Sequence, residues 1–133
     1  MTPAYDLVSQ RAGFRCEYCH APATLFNFHL EVEHIIPSSR GGDDSPENLA
    51  LACRACNVYK GDATEGADPD TGTAVELFHP RQHRWADHFR FDADLAELFG
   101  TTATGRATAA RLRFNHPKHV RARRAWMRLD LFP

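Results

Sequence analysis

Glu31-Val32-Glu33-His34-Ile35-Ile36-Pro37 stands between two Cys-x-x-Cys pairs, Cys16/Cys19 before it and Cys53/Cys56 after it. The second pair runs straight into Asn57 and then Lys60-Gly61. One segment thus offers four thiolates at metal-ligand spacing, a carboxylate beside a histidine, and a neutral oxygen donor at the start of a helix. Two x-x pairs favour a shared metal ion over disulfides in a reducing compartment. Redox-inert zinc is the commoner structural choice, with iron the alternative for a four-thiolate set.

The 33 residues between Cys19 and Cys53 exceed what a finger or ribbon usually carries, so they must hold structure of their own. Phe26 to Ile36 is rich in aromatic and β-branched residues and ends at Pro37, which predicts a strand. The run from Ser38 to Pro46 is a polar loop by composition, closed by Asn48. Leu49-Ala50-Leu51-Ala52 is short and apolar enough for the return strand, and Arg54 to Asp62 predicts a short helix stopped by Gly61. The expected unit is strand, loop, strand, helix, with the metal clamping the first cysteine knuckle to the helix start. A hairpin and helix this small draw much of their folding energy from the ion, on the order of 10 kcal/mol.

Taken together, Cys-x-x-Cys, Glu-Val-Glu-His-Ile-Ile-Pro, Gly41-Gly42, Asn48-Leu49 and Cys-x-x-Cys-Asn-x-x-Lys-Gly resemble the HNH endonuclease family, whose fold is the ββα-metal finger. The resemblance covers residues 16–61. It implies His34 as general base, Glu33 as ligand to a divalent ion, and Asn48 as the residue that pins the loop and orients His34. The family's last position, often histidine, falls on Asn57, so this is an H-N-N variant. A carboxylate with an amide oxygen suits a hard ion, Mg²⁺ or Mn²⁺. An imidazole can take a proton from water near neutral pH, and a divalent ion can act as Lewis acid at the scissile phosphate. Lys60, one turn beyond Asn57, is either a phosphate contact or a solvated lysine. Glu31 shares the strand face of Glu33, as a supporting partner or a salt-bridge former.

Outside this span the reading is coarser. Tyr5 to Phe14 predicts a short packing helix ended by Gly13, with Arg11 and Arg15 solvated. Ala63 to Glu76 holds four acids, two glycines and a proline without periodicity, and reads as an exposed connection. From Leu77 onward, aromatic, basic and histidine side chains mix. His79, His83 and His88 raise a second metal site as the lesser reading beside packing or phosphate contact. Phe89-Arg90-Phe91 alternates like a strand, helices are predicted from Thr104 to Phe114 and from Pro117 to about Leu129, and Val120, Trp126, Met127 and Leu131 point inward.

The net charge of −1 hides an asymmetry. Residues 101–133 carry eight basic side chains and one acid, whereas residues 43–100 carry five basic and twelve acidic. On the last helix Arg121, Arg124 and Arg128 form one stripe, a candidate contact with a nucleic-acid backbone. DNA is the expected partner, RNA is not excluded, and oligomeric state is left open.

The fold expected is one α+β domain over residues 1–133: a zinc-stapled core (16–61), an acidic connection (63–76) and a basic helical extension (77–133). Apolar content of 43% allows a core of its own. No apolar run approaches the roughly 20 residues of a membrane span, and the N-terminus lacks a signal-peptide pattern, so a cytoplasmic protein is expected. Two rivals to a nuclease stand beside it: a nucleic-acid-binding zinc module without activity, and an interaction module in a larger assembly.

Overall fold

The computed structural model describes residues 3–25 and 29–133. Helix α1 (Pro3–Arg11) is followed by the first cysteine knuckle, then strands β1 (Glu31–His34) and β2 (Leu49–Ala52), then helix α2 (Arg54–Lys60). The remainder comprises a hairpin of β3 (Glu65–Ala67) and β4 (Ala74–Glu76), the short helix α3 (Trp85–His88), a hairpin of β5 (Phe89–Asp92) and β6 (Glu97–Gly100), and helices α4 (Ala103–Arg111) and α5 (Pro117–Arg128). The class is α+β, with three separate two-stranded antiparallel sheets.

The strand–loop–strand–helix unit is as the sequence predicts, although β1 is shorter than expected. Phe26, Asn27 and Phe28, assigned to that strand, lie outside the described residues. In β1·β2 the partners are Glu31↔Ala52, Val32↔Leu51, Glu33↔Ala50 and His34↔Leu49. All four β2 residues are buried, so β2 forms the floor of the finger. Its edge is tied to the first knuckle by Glu17, whose backbone N–H donates to Leu51 O (2.8 Å) while its carboxylate accepts from Leu51 N (2.9 Å). Cys53 caps α2 by accepting from Cys56 N, and Gly61 ends it at φ +57°, where a side chain is disfavoured.

Three expectations need correction. Residues 63–76 are largely exposed, as expected, but they are more than a connection. They form the β3–β4 hairpin, packed against α4 and anchored by Asp68, which is 1% exposed and accepts from Arg106 Nε (2.9 Å) and Nη2 (2.8 Å). A three-residue strand without alternation is silent in sequence, and a partner 38 residues away holds it. Arg15 is not a solvated charge: it is half-buried and donates to His20 O and Leu131 O, whereas Arg11 stays exposed as expected while donating to Pro46 O and Leu49 O. Of the apolar residues expected to pack from the first helix, Val8 is buried, while Leu7 and Phe14 stay exposed.

The main hydrophobic cluster runs from Val8 through β2 and Phe78 to Leu112, Phe114 and Phe132, so the C-terminal segment packs on the same core as the finger. Trp126 and Met127 lean on it from α5. Thr102 caps α4 through Gly105 N (3.0 Å), and a Cβ on Gly105 would lie 2.0 Å from His88 O.

Candidate metal centre and the His34 strand end

Cys16, Cys19, Cys53 and Cys56 are buried, and their sulfurs all lie within 4.8 Å of one another. None is in a disulfide, and the Cys19–Cys53 sulfur separation is 3.8 Å. Each pair has the same local geometry: Cys19 N donates to Cys16 Sγ and Cys56 N to Cys53 Sγ, both at 3.5 Å. Hydrogen bonds shared with Cys16 push the Cys19 and Cys56 thiols up and hold Cys53 down. The sulfurs are thus close enough to act on one another. A divalent ion would release the thiol protons, and a buried, converging set of four thiolates fits zinc.

At the other end of the hairpin the alternation of β1 sets Glu31 and Glu33 on one face and His34 on the opposite one. His34 is half-exposed, with Nε2 2.6 Å from Asp44 Oδ1 on the following loop. That loop is fastened by Asn48. Its Oδ1 accepts from Ile36 N (2.9 Å), its Nδ2 donates to Ile36 O (2.9 Å) and Asp43 O (2.7 Å), and its backbone O accepts from Ile35 N (2.8 Å). The amide of Asn48 thereby mimics a further strand partner for the residues after His34. The loop passes so close that a Cβ on Gly42 would sit 1.7 Å from Ile36 O, and Gly41 before it adopts φ +88°, which together explain the Gly-Gly pair.

The carboxylate face holds two arrangements. Glu31 Oε1 accepts from Asn57 Nδ2 (2.7 Å), and Glu31 Oε2 accepts from Arg54 Nη1 (3.2 Å). Glu33 is 5% exposed; Tyr18 Oη donates to its Oε1 and Lys60 Nζ to its Oε2 (3.2 Å). Burial raises the Glu33 carboxyl above its ordinary range, with Lys60 and Tyr18 acting the other way. Burial and the Glu33 charge raise the Tyr18 phenol, which keeps it a donor.

Lys60 is the clearest departure from what the sequence predicts. It is 2% exposed, and besides Glu33 its ammonium donates to Ile35 O (2.8 Å) and His34 O (3.4 Å). Neither a phosphate contact nor a solvated lysine describes it, because all three of its donors are spent inside the finger.

Glu33 and Asn57 therefore project from β1 and α2 toward the same interface, but each is held by a different partner. Their donor atoms are hard oxygens, and Lys60 and Tyr18 hold the Glu33 carboxylate in place. In that respect the residues fit a hard divalent ion.

The histidine-rich segment forms no second centre. His83 lies near His88 and His79 (ring centroids 5.1 and 6.3 Å). Yet the Nδ1 atoms of His79, His83 and His88 are engaged with Arg81 N, His79 N and Thr102 Oγ1 respectively. Among the described residues, the cysteine tetrad is the only group of three or more His, Cys, Asp or Glu that converges on one point. Arg121, Arg124 and Arg128 are exposed on α5, and Arg124 donates to Asp94 O and Leu95 O. Among the described residues, no helix is long and apolar enough to cross a membrane.

Sequence reasoning misses Asp44, one acid among several in a polar loop, and Tyr18, which lies between the first two cysteines. Neither bears a local signal, since each acts on a residue at least ten positions away. Residues 16–63 match the model of the HNH endonuclease family, the span over which the cysteine pairs and the Glu-His core carry the resemblance. No curated protein and no solved structure matches the chain significantly.

Proposed function

We propose, from the HNH match over residues 16–63, that this protein is a nuclease that hydrolyses phosphodiester bonds in DNA with the help of one divalent ion. The observation that carries the reading is the His34–Asp44 pair at a strand end fastened by Asn48. A carboxylate only accepts, so Asp44 draws the imidazole proton to Nε2 and leaves Nδ1 as the acceptor. His34 Nδ1 takes the proton of the attacking water, and Asp44 stabilises the imidazolium that results. Asn48 and Lys60 act on backbone atoms next to His34, from the loop and from α2, and hold the base in register.

Glu33 and Asn57 are the residues that would hold Mg²⁺ or Mn²⁺. When bound, the ion supplies Lewis-acid stabilisation of charge on the phosphate and the leaving oxygen. The cysteine tetrad holds zinc for structure, outside the chemistry. Arg121, Arg124 and Arg128 contact the DNA backbone without reading its sequence.

A second reading has its own observation. Both oxygens of Glu33 are engaged by Tyr18 and Lys60, as they would be in a finger that binds nucleic acid and cuts nothing. Nicking of supercoiled plasmid decides between them. The nuclease reading expects cleavage that requires Mg²⁺ or Mn²⁺ and that falls about 10²- to 10⁴-fold in His34→Ala, with DNA binding retained. DNA binding by the wild-type chain without cleavage in any divalent ion favours the second reading.

A further inference from the structure

The α5 helix has two basic faces. Arg121, Arg124 and Arg128 look outward, whereas Arg123 is 2% exposed. Its guanidinium donates to Ala96 O (2.7 Å), Phe114 O (2.7 Å) and Asn115 Oδ1 (3.4 Å), all neutral acceptors. Its Nε–H is buried with no partner. Among the described residues, no carboxylate lies within ion-pair distance of it, although the deeply buried Lys60 and Asp68 each meet an opposite charge. A fully buried cation without an anion is costly, and Arg cannot shed its proton to escape the cost.

A source of negative charge lines the same cavity as Arg123. Cys19, Cys53 and Cys56 line an apolar space of about 410 Å³ together with Phe114, Arg123 and Trp126. Burial pushes the Arg123 pKa down, and Cys19 and Cys56, ahead of Glu97, act in the other direction. One zinc ion on four thiolates has a net charge of −2, buried as deeply as Arg123.

We infer that Arg123 is the countercharge of the zinc–thiolate centre, so that the C-terminal helix completes the metal site of the finger from outside its ligand set. Each buried charge explains the other. The cavity they share is lined almost entirely by apolar surface, so the attraction is screened less than it is between surface charges. The role also accounts for why α5 packs on the finger while its other arginines face solvent.

Two substitutions separate charge from packing. Arg123→Lys keeps the positive charge with fewer hydrogen bonds, and Arg123→Gln keeps polar donors without the charge; Arg121→Gln is the surface control. For each, zinc transfer to a chelating dye is timed on the folded protein, and the sulfur-to-metal charge-transfer band is recorded after Co²⁺ replaces zinc. Arg123→Gln is expected to lose about 10- to 100-fold in metal retention, the usual effect of disturbing groups around a metal site. Its cobalt band should move to longer wavelength, because thiolate electrons released from a nearby cation are easier to transfer. Arg123→Lys and Arg121→Gln should match wild type in both measurements. An unmoved cobalt band in Arg123→Gln, or equal zinc loss in the Lys and Gln variants, overturns the inference. If Arg123→Gln does not fold, Arg123→Lys decides alone: wild-type retention and band position support the countercharge, and loss of zinc overturns it. A wild-type chain that carries no zinc overturns it as well.

Discussion

Asn57 donates its side-chain amide to Glu31 (Nδ2–Oε1 2.7 Å), the residue two positions before Glu33 on the same strand face. Because an ionised carboxylate can only accept, this contact decides which end of the Asn57 amide is which. Oδ1 is the end left for a cation, and Arg54 holds the other oxygen of Glu31 so that the carboxylate does not turn away. Glu31 thus orients Asn57 in the proposed ion site. Glu31→Ala should weaken Mn²⁺ binding about 10-fold with zinc content and melting temperature unchanged. Glu31→Gln, whose amide oxygen still accepts, should keep most of the affinity. Titration followed by the electron paramagnetic resonance of free Mn²⁺ measures both, and equal losses in the two variants would make Glu31 a ligand instead.

The Lys60–Glu33 pair should behave as a buried ion pair, with side chains 2% and 4% exposed. Removing one partner strands the other: Lys60→Met is expected to cost about 3–5 kcal/mol in denaturant unfolding of the zinc-loaded protein. The Lys60→Met/Glu33→Gln double variant should recover a large part of that loss. Additive losses would mean that Lys60 acts through the Ile35 and His34 carbonyls and not through Glu33.

Asp68 and Arg106 set an acid limit on the β3–β4 hairpin. Hydrogen bonds from Arg106 hold the Asp68 carboxyl down to about 2, against about 3.9 for a free aspartate. A carboxyl whose folded value is depressed contributes stability that is complete above its unfolded value and lost as the pH falls through the folded one. The contribution is therefore present above about pH 4 and lost towards about pH 2. The carboxyl carbon shift of Asp68, followed by NMR, should titrate near the lower value in the wild type. In Arg106→Gln it should titrate close to the free value.

The outward stripe of α5 is open to a direct count. Removing one phosphate interaction lowers the slope of log affinity against log salt by about 0.9 on duplex DNA. Changing Arg121, Arg124 and Arg128 together to Gln should weaken binding equally on unrelated DNA sequences. Arg124 already donates to two carbonyls, so Arg121 and Arg128 should carry most of the change. An unchanged slope would make the stripe a solvated surface.

Much of the finger is legible in the sequence because its signals are local. Ligand spacing in Cys16/Cys19 and Cys53/Cys56, the apolar run Leu49–Ala52, and the stop at Gly61 each need only a few neighbouring residues to be read. The Gly41-Gly42 pair and Asn48 are legible as motif elements, while their reason lies in a loop that passes against the Ile36 carbonyl. The β3–β4 hairpin is not legible, since Glu65-Gly66-Ala67 has neither alternation nor β-branched residues. Its stability comes from Asp68 meeting Arg106 and from the face of α4.

What the sequence determined by itself was the inventory: four thiols that can converge, a histidine at a strand end, and a basic C-terminal third. Tertiary structure alone decided which charges are internal. Lys60, Arg15 and Arg123 look alike in sequence to the arginines of the outward stripe, and each is spent on acceptors within the fold. The physical reason is that a charge is buried only where an opposite charge or several carbonyls meet it. For Lys60 and Arg123 those partners come from segments 8 to 27 positions away, beyond the reach of any local pattern.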